Sequence, residues 1–189
     1  MVRDTALTGG FQDPPRDAAR AFRAALQALA RPGRIEPIRG ATPPAPCSPA
    51  VGALLLTLCD PETGLFLAPS HDIPALRAWI AFHTGARLTG AEHADFALGT
   101  WAALQPVDRF RIGTAEYPDR SATLLVEMDV LAPEGITLRG PGIAETARLS
   151  LPETAAFIAN RRLFPLGFDC YFCAEDRVAG LPRSTRVEG

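Results

Sequence analysis

The stretch from Tyr117 to Ala144, YPDRSATLLVEMDVLAPEGITLRGPGIA, constrains the fold of this chain more than any other. Between Ala122 and Val130, Leu124, Val126, Met128 and Val130 alternate with Thr123, Leu125, Glu127 and Asp129. A period of two is the pattern of a β-strand. The first half is apolar on both faces and the second half on one, which predicts a strand that starts inside a covered sheet and emerges at its edge. Pro133-Glu134-Gly135 supplies a turn, and Ile136 to Arg139 reads as the return strand of a hairpin. Arg139-Gly140-Pro141-Gly142 then joins bare backbone to a guanidinium, a combination suited to an anion.

Around this centre the sequence alternates helix and strand signals. Asp13-Pro14-Pro15 opens a helix in which Ala18, Phe22, Ala25, Leu26 and Leu29 form an apolar stripe, and Arg31-Pro32-Gly33 ends it. Arg34 to Arg39 reads as a short strand. Ser48-Pro49 opens a second helix over Ala50 to Cys59, apolar almost all round and so buried. Leu65 to Ala68 is a strand, and Asp72 with Pro74 starts a third helix ending near His83-Thr84-Gly85. Short strands follow at Ala86 to Leu88 and Phe96 to Gly99, then a helix of about two turns between Trp101 and Thr114. Ser150-Leu151-Pro152-Glu153 reads as a capping box for a helix ending in Arg161-Arg162. Phe168 to Cys173 and Val178 to Leu181 are strands joined at Glu175-Asp176, and PRSTRVEG closes the chain.

With helices and strands intermingled, the class is α/β: a mixed sheet with helices on both faces, three layers in all. Residues 1–12 are expected to be loosely ordered and 13–189 to form a single domain, a length that buries roughly 70% of the unfolded chain's surface.

Composition excludes some chemistry. The net charge of −2 and the 47% hydrophobic share give neither a nucleic-acid surface nor a disordered chain. No apolar run approaches the ~18 residues of a membrane span, so a soluble cytoplasmic protein is expected. All 19 basic residues are arginine, and none is lysine. That rules out a Schiff base to pyridoxal phosphate and the lysine of a phosphate-binding P-loop. Cys170 and Cys173 form a C-x-x-C, but within a strand such residues face opposite ways. With Cys47 and Cys59 they read as buried structural thiols.

Glu127 and Asp129 have the spacing of paired carboxylates on one strand face, or of a solvated strand end. His83, at a helix end, is the most suggestive of the three histidines, against a simple capping role. Arg139 beside Gly140 and Gly142, and Arg183 with Ser184 and Thr185, each offer a guanidinium with small groups. Hydrogen bonds from such groups to an oxyanion contribute ~1.5–3 kcal/mol each. The competing reading is turn glycines and surface arginines. The site expected from local chemistry is therefore an anion pocket of Arg139, Gly140, Gly142, Arg183, Thr185 and His83, with no metal and no catalytic residue assigned.

Seven segments, AFRAALQALARPGRI, LLLTLCD, AFHTGA, YPDRSATLLVE, LRGPGIA, FPLGFD and LPRSTRVE, together resemble the PhnH family of the bacterial carbon–phosphorus lyase system. The likeness runs from about Phe11 to Glu188. It implies a fold similar to pyridoxal-phosphate-dependent transferases without the cofactor, a homodimer when alone, and a place in a core complex with G, I and J subunits. It further implies a role, with those partners, in displacing adenine from a nucleoside triphosphate by an alkylphosphonate. The product would be a ribose 1-phosphonate 5-triphosphate. Two alternatives stand beside it: a non-catalytic scaffold of that complex, and a stand-alone hydrolase using Glu127, Asp129 and His83.

Overall fold

The computed structural model describes residues 7–188. In chain order its elements are α1 (Pro14–Ala30), β1 (Ile35–Pro37), α2 (Pro49–Leu58), β2 (Gly64–Leu67), α3 (Pro74–His83), β3 (Arg87–Leu88) and β4 (Phe96–Thr100). They continue with a single turn α4 (Trp101–Leu104), then β5 (Thr123–Glu127), β6 (Ile136–Arg139), β7 (Ala147–Leu149), α5 (Ala155–Arg162), β8 (Asp169–Ala174), β9 (Arg177–Leu181) and β10 (Arg186–Glu188).

Seven strands form a mixed sheet in the order β1-β9-β8-β5-β4-β2-β3. From β3 to β8 all neighbours are parallel, while β9 and β1 add antiparallel partners at the far side. The Leu124-Leu125-Val126 run is fully buried because β5 is the middle strand of the seven. Full burial of such side chains contributes ~1.5–3 kcal/mol each. Leu125 joins the apolar cluster that includes α1, α2 and α3, whereas Leu124 and Val126 join the opposite cluster with Phe157 of α5. Cys173 and Cys170 divide between the same two clusters, as residues three apart in a strand must. All four cysteines are free and buried.

The hairpin expected between β5 and β6 does not form. Instead β6 lies in a second, three-stranded sheet of order β10-β6-β7. The chain tail, which carried no strand signal by itself, supplies the partner: Val187 pairs with Leu138, and both are buried. A central strand surrounded by parallel neighbours has no free edge for a hairpin mate, so the return strand finds other partners. The alternation also ends early, at Glu127, and Val130 is 64% exposed.

Helix α1 turns a different face inward from the expected stripe. Phe22 and Leu26 are 53% and 52% exposed, while Ala21, Ala24, Ala25 and Ala28 are buried. The cause is close approach. A Cβ added at Gly180 of β9 would lie 2.7 Å from the Ala28 carbonyl group, so only small side chains fit between helix and sheet. Two further caps behave differently from expectation. Asp13 precedes α1 without a side-chain cap bond, and its own amide donates to Asp17 Oδ2 at 3.0 Å. Ser150 does not cap α5, which starts at Ala155; its hydroxyl accepts from the Ala132 amide at 2.9 Å. Glu153 holds the helix start instead, accepting from the Ala156 amide at 3.3 Å and from Trp101 Nε1 at 2.6 Å. By contrast Ser48 caps α2 as its sequence requires, accepting from Val51 at 3.3 Å. Of the N-terminal segment, residues 1–6 lie outside the described residues. The Thr8 carbonyl accepts from Trp79 Nε1 at 2.9 Å, and that of Gly9 from the Thr42 amide at 2.8 Å.

Candidate functional site

Two polar regions stand out on this frame. The first lies where the parallel strands end. From β2 the chain crosses through α3 to β3 on one side, then returns to β4 on the other. That reversal makes these strand ends a topological switch point, the place where open α/β sheets put ligands. Ser70 and His71 follow β2, Thr100 closes β4 and Glu127 closes β5. Ser70 Oγ accepts from the Thr100 amide at 3.1 Å and lies 2.9 Å from His71 Nδ1. The other ring nitrogen, Nε2, is 3.8 Å from Glu127 Oε2. This is too long for a hydrogen bond, yet close enough for strong attraction when the imidazole is protonated. His71 is buried, and its Nε2 has no hydrogen-bond partner among the described residues. Glu127 Oε2 also accepts from the Ser48 amide at 3.2 Å, which places a carboxylate at the positive end of α2.

The thiols of Cys47 and Cys173 flank this carboxylate. Burial pushes both well above the ordinary thiol range, and the nearby Glu127 charge raises them further. They are protonated and unreactive at neutral pH. The arrangement joins Ser70 to His71 by a hydrogen bond and sets the Glu127 carboxylate near the far side of the ring without bonding it. Asp129 takes no part: it lies past the strand end and is exposed, so the carboxylate pairing read from the sequence does not form. His71 was missed because its sequence neighbours are unremarkable; only the strand ends in register bring it to Glu127.

The second region holds most of the residues singled out by sequence. Pairing of β10 with β6 brings Gly140 beside Ser184 and Thr185, so the two arginine-and-glycine segments do meet. Their guanidiniums, however, already have acceptors. Arg183, largely buried, donates to both Asp169 oxygens (3.1 and 2.6 Å), to the Pro118 carbonyl (2.7 Å) and to Ser121 Oγ. Arg139 pairs with Glu188 at 3.0 Å and donates to the Glu145 carbonyl at 3.2 Å. Thr185 is buried, with its hydroxyl unpartnered among the described residues. Gly142 adopts φ +81°, and a Cβ there would sit 1.9 Å from the Ala30 carbonyl oxygen. The loop is thus pressed onto the end of α1, which by itself accounts for the glycine. His83 belongs elsewhere, packed against Trp79 and Phe82 with Nε2 3.1 Å from the Thr8 carbonyl. Among the described residues, no three His, Cys, Asp or Glu side chains converge as metal ligands.

The fold defines an α/β protein built on a central mixed sheet. Within that class, residues 9–188 match the family model described as "Bacterial phosphonate metabolism protein (PhnH)", and the chain belongs to this family. It is 41% identical, over 96% of its length and 95% of the relative's, to the protein of Rhizobium meliloti (strain 1021) named "Alpha-D-ribose 1-methylphosphonate 5-triphosphate synthase subunit PhnH". It is also 30% identical to the "Putative C-P lyase subunit protein HtxG" of Stutzerimonas stutzeri, over 88% of this chain and 84% of that one.

Proposed function

We propose that this chain is a subunit of a carbon–phosphorus lyase complex that, with its partners, joins the ribose triphosphate of ATP to an alkylphosphonate. The observation that carries the reading is the end-to-end match to a relative named as a subunit of ribose 1-methylphosphonate 5-triphosphate synthase. On this reading the protein works in the cytoplasm beside G, I and J subunits, and pairs with itself when isolated. Among the described residues no helix is long and apolar enough to cross a membrane. The fold is taken as a single three-layer domain of the transferase kind without its cofactor; apolar clusters on the two faces of the large sheet support the layering. Arg139, Gly140, Gly142, Arg183, Thr185 and His83 form the sequence-derived anion set, whose first five members gather around the small sheet. Growth supplies the test. Deleting the gene should abolish growth on methylphosphonate as sole phosphorus source, and the plasmid-borne gene should restore it; undiminished growth of the deletion strain would contradict the proposal.

A second reading, a scaffold that contributes surface but no ligand contact, draws on Phe22, Leu26, Phe82 and Phe164, each more than half exposed. Growth restored by a variant with every anion-set arginine neutralised would favour it.

A further inference from the structure

A cleft of about 430 Å³ opens between α5 and β10, with Ile158 and Val187 in its lining and Arg161, Arg162 and Arg186 around them. A volume of this size suits a small ligand. Its one carboxylate, Glu188, is already paired with Arg139. Among the described residues neither the Arg162 nor the Arg186 side chain has a hydrogen-bond or ion-pair partner, and the Arg161 guanidinium meets only the Ser184 carbonyl (3.1 Å) and the Phe164 ring. The cleft therefore carries three guanidinium charges with no protein anion against them.

Register sharpens the point. Arg186 lies directly opposite Arg139 in the β10–β6 pair. Like charges opposite one another weaken a sheet, and Glu188 relieves only Arg139. The helix dipole accounts for Arg161 and Arg162 at the end of α5, but not for Arg186, which comes from a strand. Cations from two elements converge on one opening, with the fork geometry that matches phosphate oxygens.

We infer that the cleft of Arg161, Arg162 and Arg186 is a binding site for a small polyanion bearing two or more phosphate groups, distinct from the set around Arg183. The choice of a triphosphate as probe rests on the proposed function; the cationic geometry does not.

Isothermal titration of the purified full chain with inorganic tripolyphosphate, at fixed ionic strength, tests it. Wild type is expected to bind in a salt-sensitive manner. The double variant Arg162→Gln/Arg186→Gln is expected to weaken binding by at least ~10-fold, because a charged hydrogen bond contributes at least a factor of about ten in affinity. Arg148→Gln, an exposed arginine outside the cleft, is expected to bind as wild type does. No heat with wild type, or equal affinity in the double variant, overturns the inference. So does an equal loss in Arg148→Gln, which would mean unspecific charge attraction. Copurification of wild type with partner subunits, scored on the same preparation, separates the two claims. Copurification without tripolyphosphate binding overturns this inference alone, and binding without copurification overturns the proposed function alone.

Discussion

Arg183 and Arg186 stand three residues apart and have opposite surroundings. Arg183 lies in the β9–β10 connection with Asp169, Ser121 and the Pro118 carbonyl around it. Arg186 is exposed on β10 with another arginine across the ladder. In the sequence only Arg183 stood out, beside Ser184 and Thr185. The fold makes the first a clamp joining the start of β8 to the loop before β5, and leaves the second facing an opening. An arginine's role is thus set by the acceptors that packing brings to it, and the carboxylate that decides this case, Asp169, is fourteen residues from Arg183.

Replacing the clamp should have the largest effect. Arg183→Met removes one partner of a largely buried pair and leaves Asp169 only the amide of residue 183 (2.8 Å), a change that costs up to about 3–5 kcal/mol. At this chain length that lowers the melting temperature by roughly 6–20 °C. A melting temperature within a degree of wild type would erase the distinction between the two arginines.

Alkaline titration probes the buried interior, away from both arginines. Burial pushes the Cys59 thiol from its ordinary 9.0 up to about 12. Between those values the unfolded chain gives up a proton that the folded chain keeps. Stability is therefore intact below pH 9 and falls as pH rises towards 12, by about 1.4 kcal/mol per pH unit for such a thiol. Cys47, Cys170 and Cys173 shift in the same direction. Urea unfolding at stepped pH should show the decline, and Cys59→Ala should make it shallower.

Gly142→Ala should cost more than about 1 kcal/mol, since φ +81° disfavours any Cβ and the Ala30 carbonyl blocks it. Denaturant melts would show this, whereas an unchanged midpoint would reopen a ligand-contact explanation for that glycine. The smallest effect is expected at Arg186→Gln, within about ±0.5 kcal/mol of wild type, with relief of the like-charge pair tending to stabilise. A loss as large as that of Arg183→Met would make Arg186 structural.

Much of the fold was legible where periodicity and caps act locally. Ser48-Pro49 started α2, the alternation of TLLVE marked β5, and FDCYFC divided its thiols between two faces. What was not legible depended on partners distant in sequence. Nothing in RVE says that it pairs with ITLR, so the second sheet and the fate of the expected hairpin were hidden. The alanine face of α1 was hidden for the same reason: its depth is set by Gly180 on a strand far along the chain. At the candidate sites, Arg139 and Arg183 were visible as chemistry but not as already partnered, and His71 became visible only when β2, β4 and β5 aligned their ends.

The most direct test of the account is an affinity pull-down of the tagged chain from phosphate-starved cells, with bound proteins identified by mass spectrometry. Recovery of the other phosphonate-complex subunits in a fixed ratio is the result expected of a subunit of the complex. Recovery of this chain alone, under conditions in which those subunits are expressed, would contradict it.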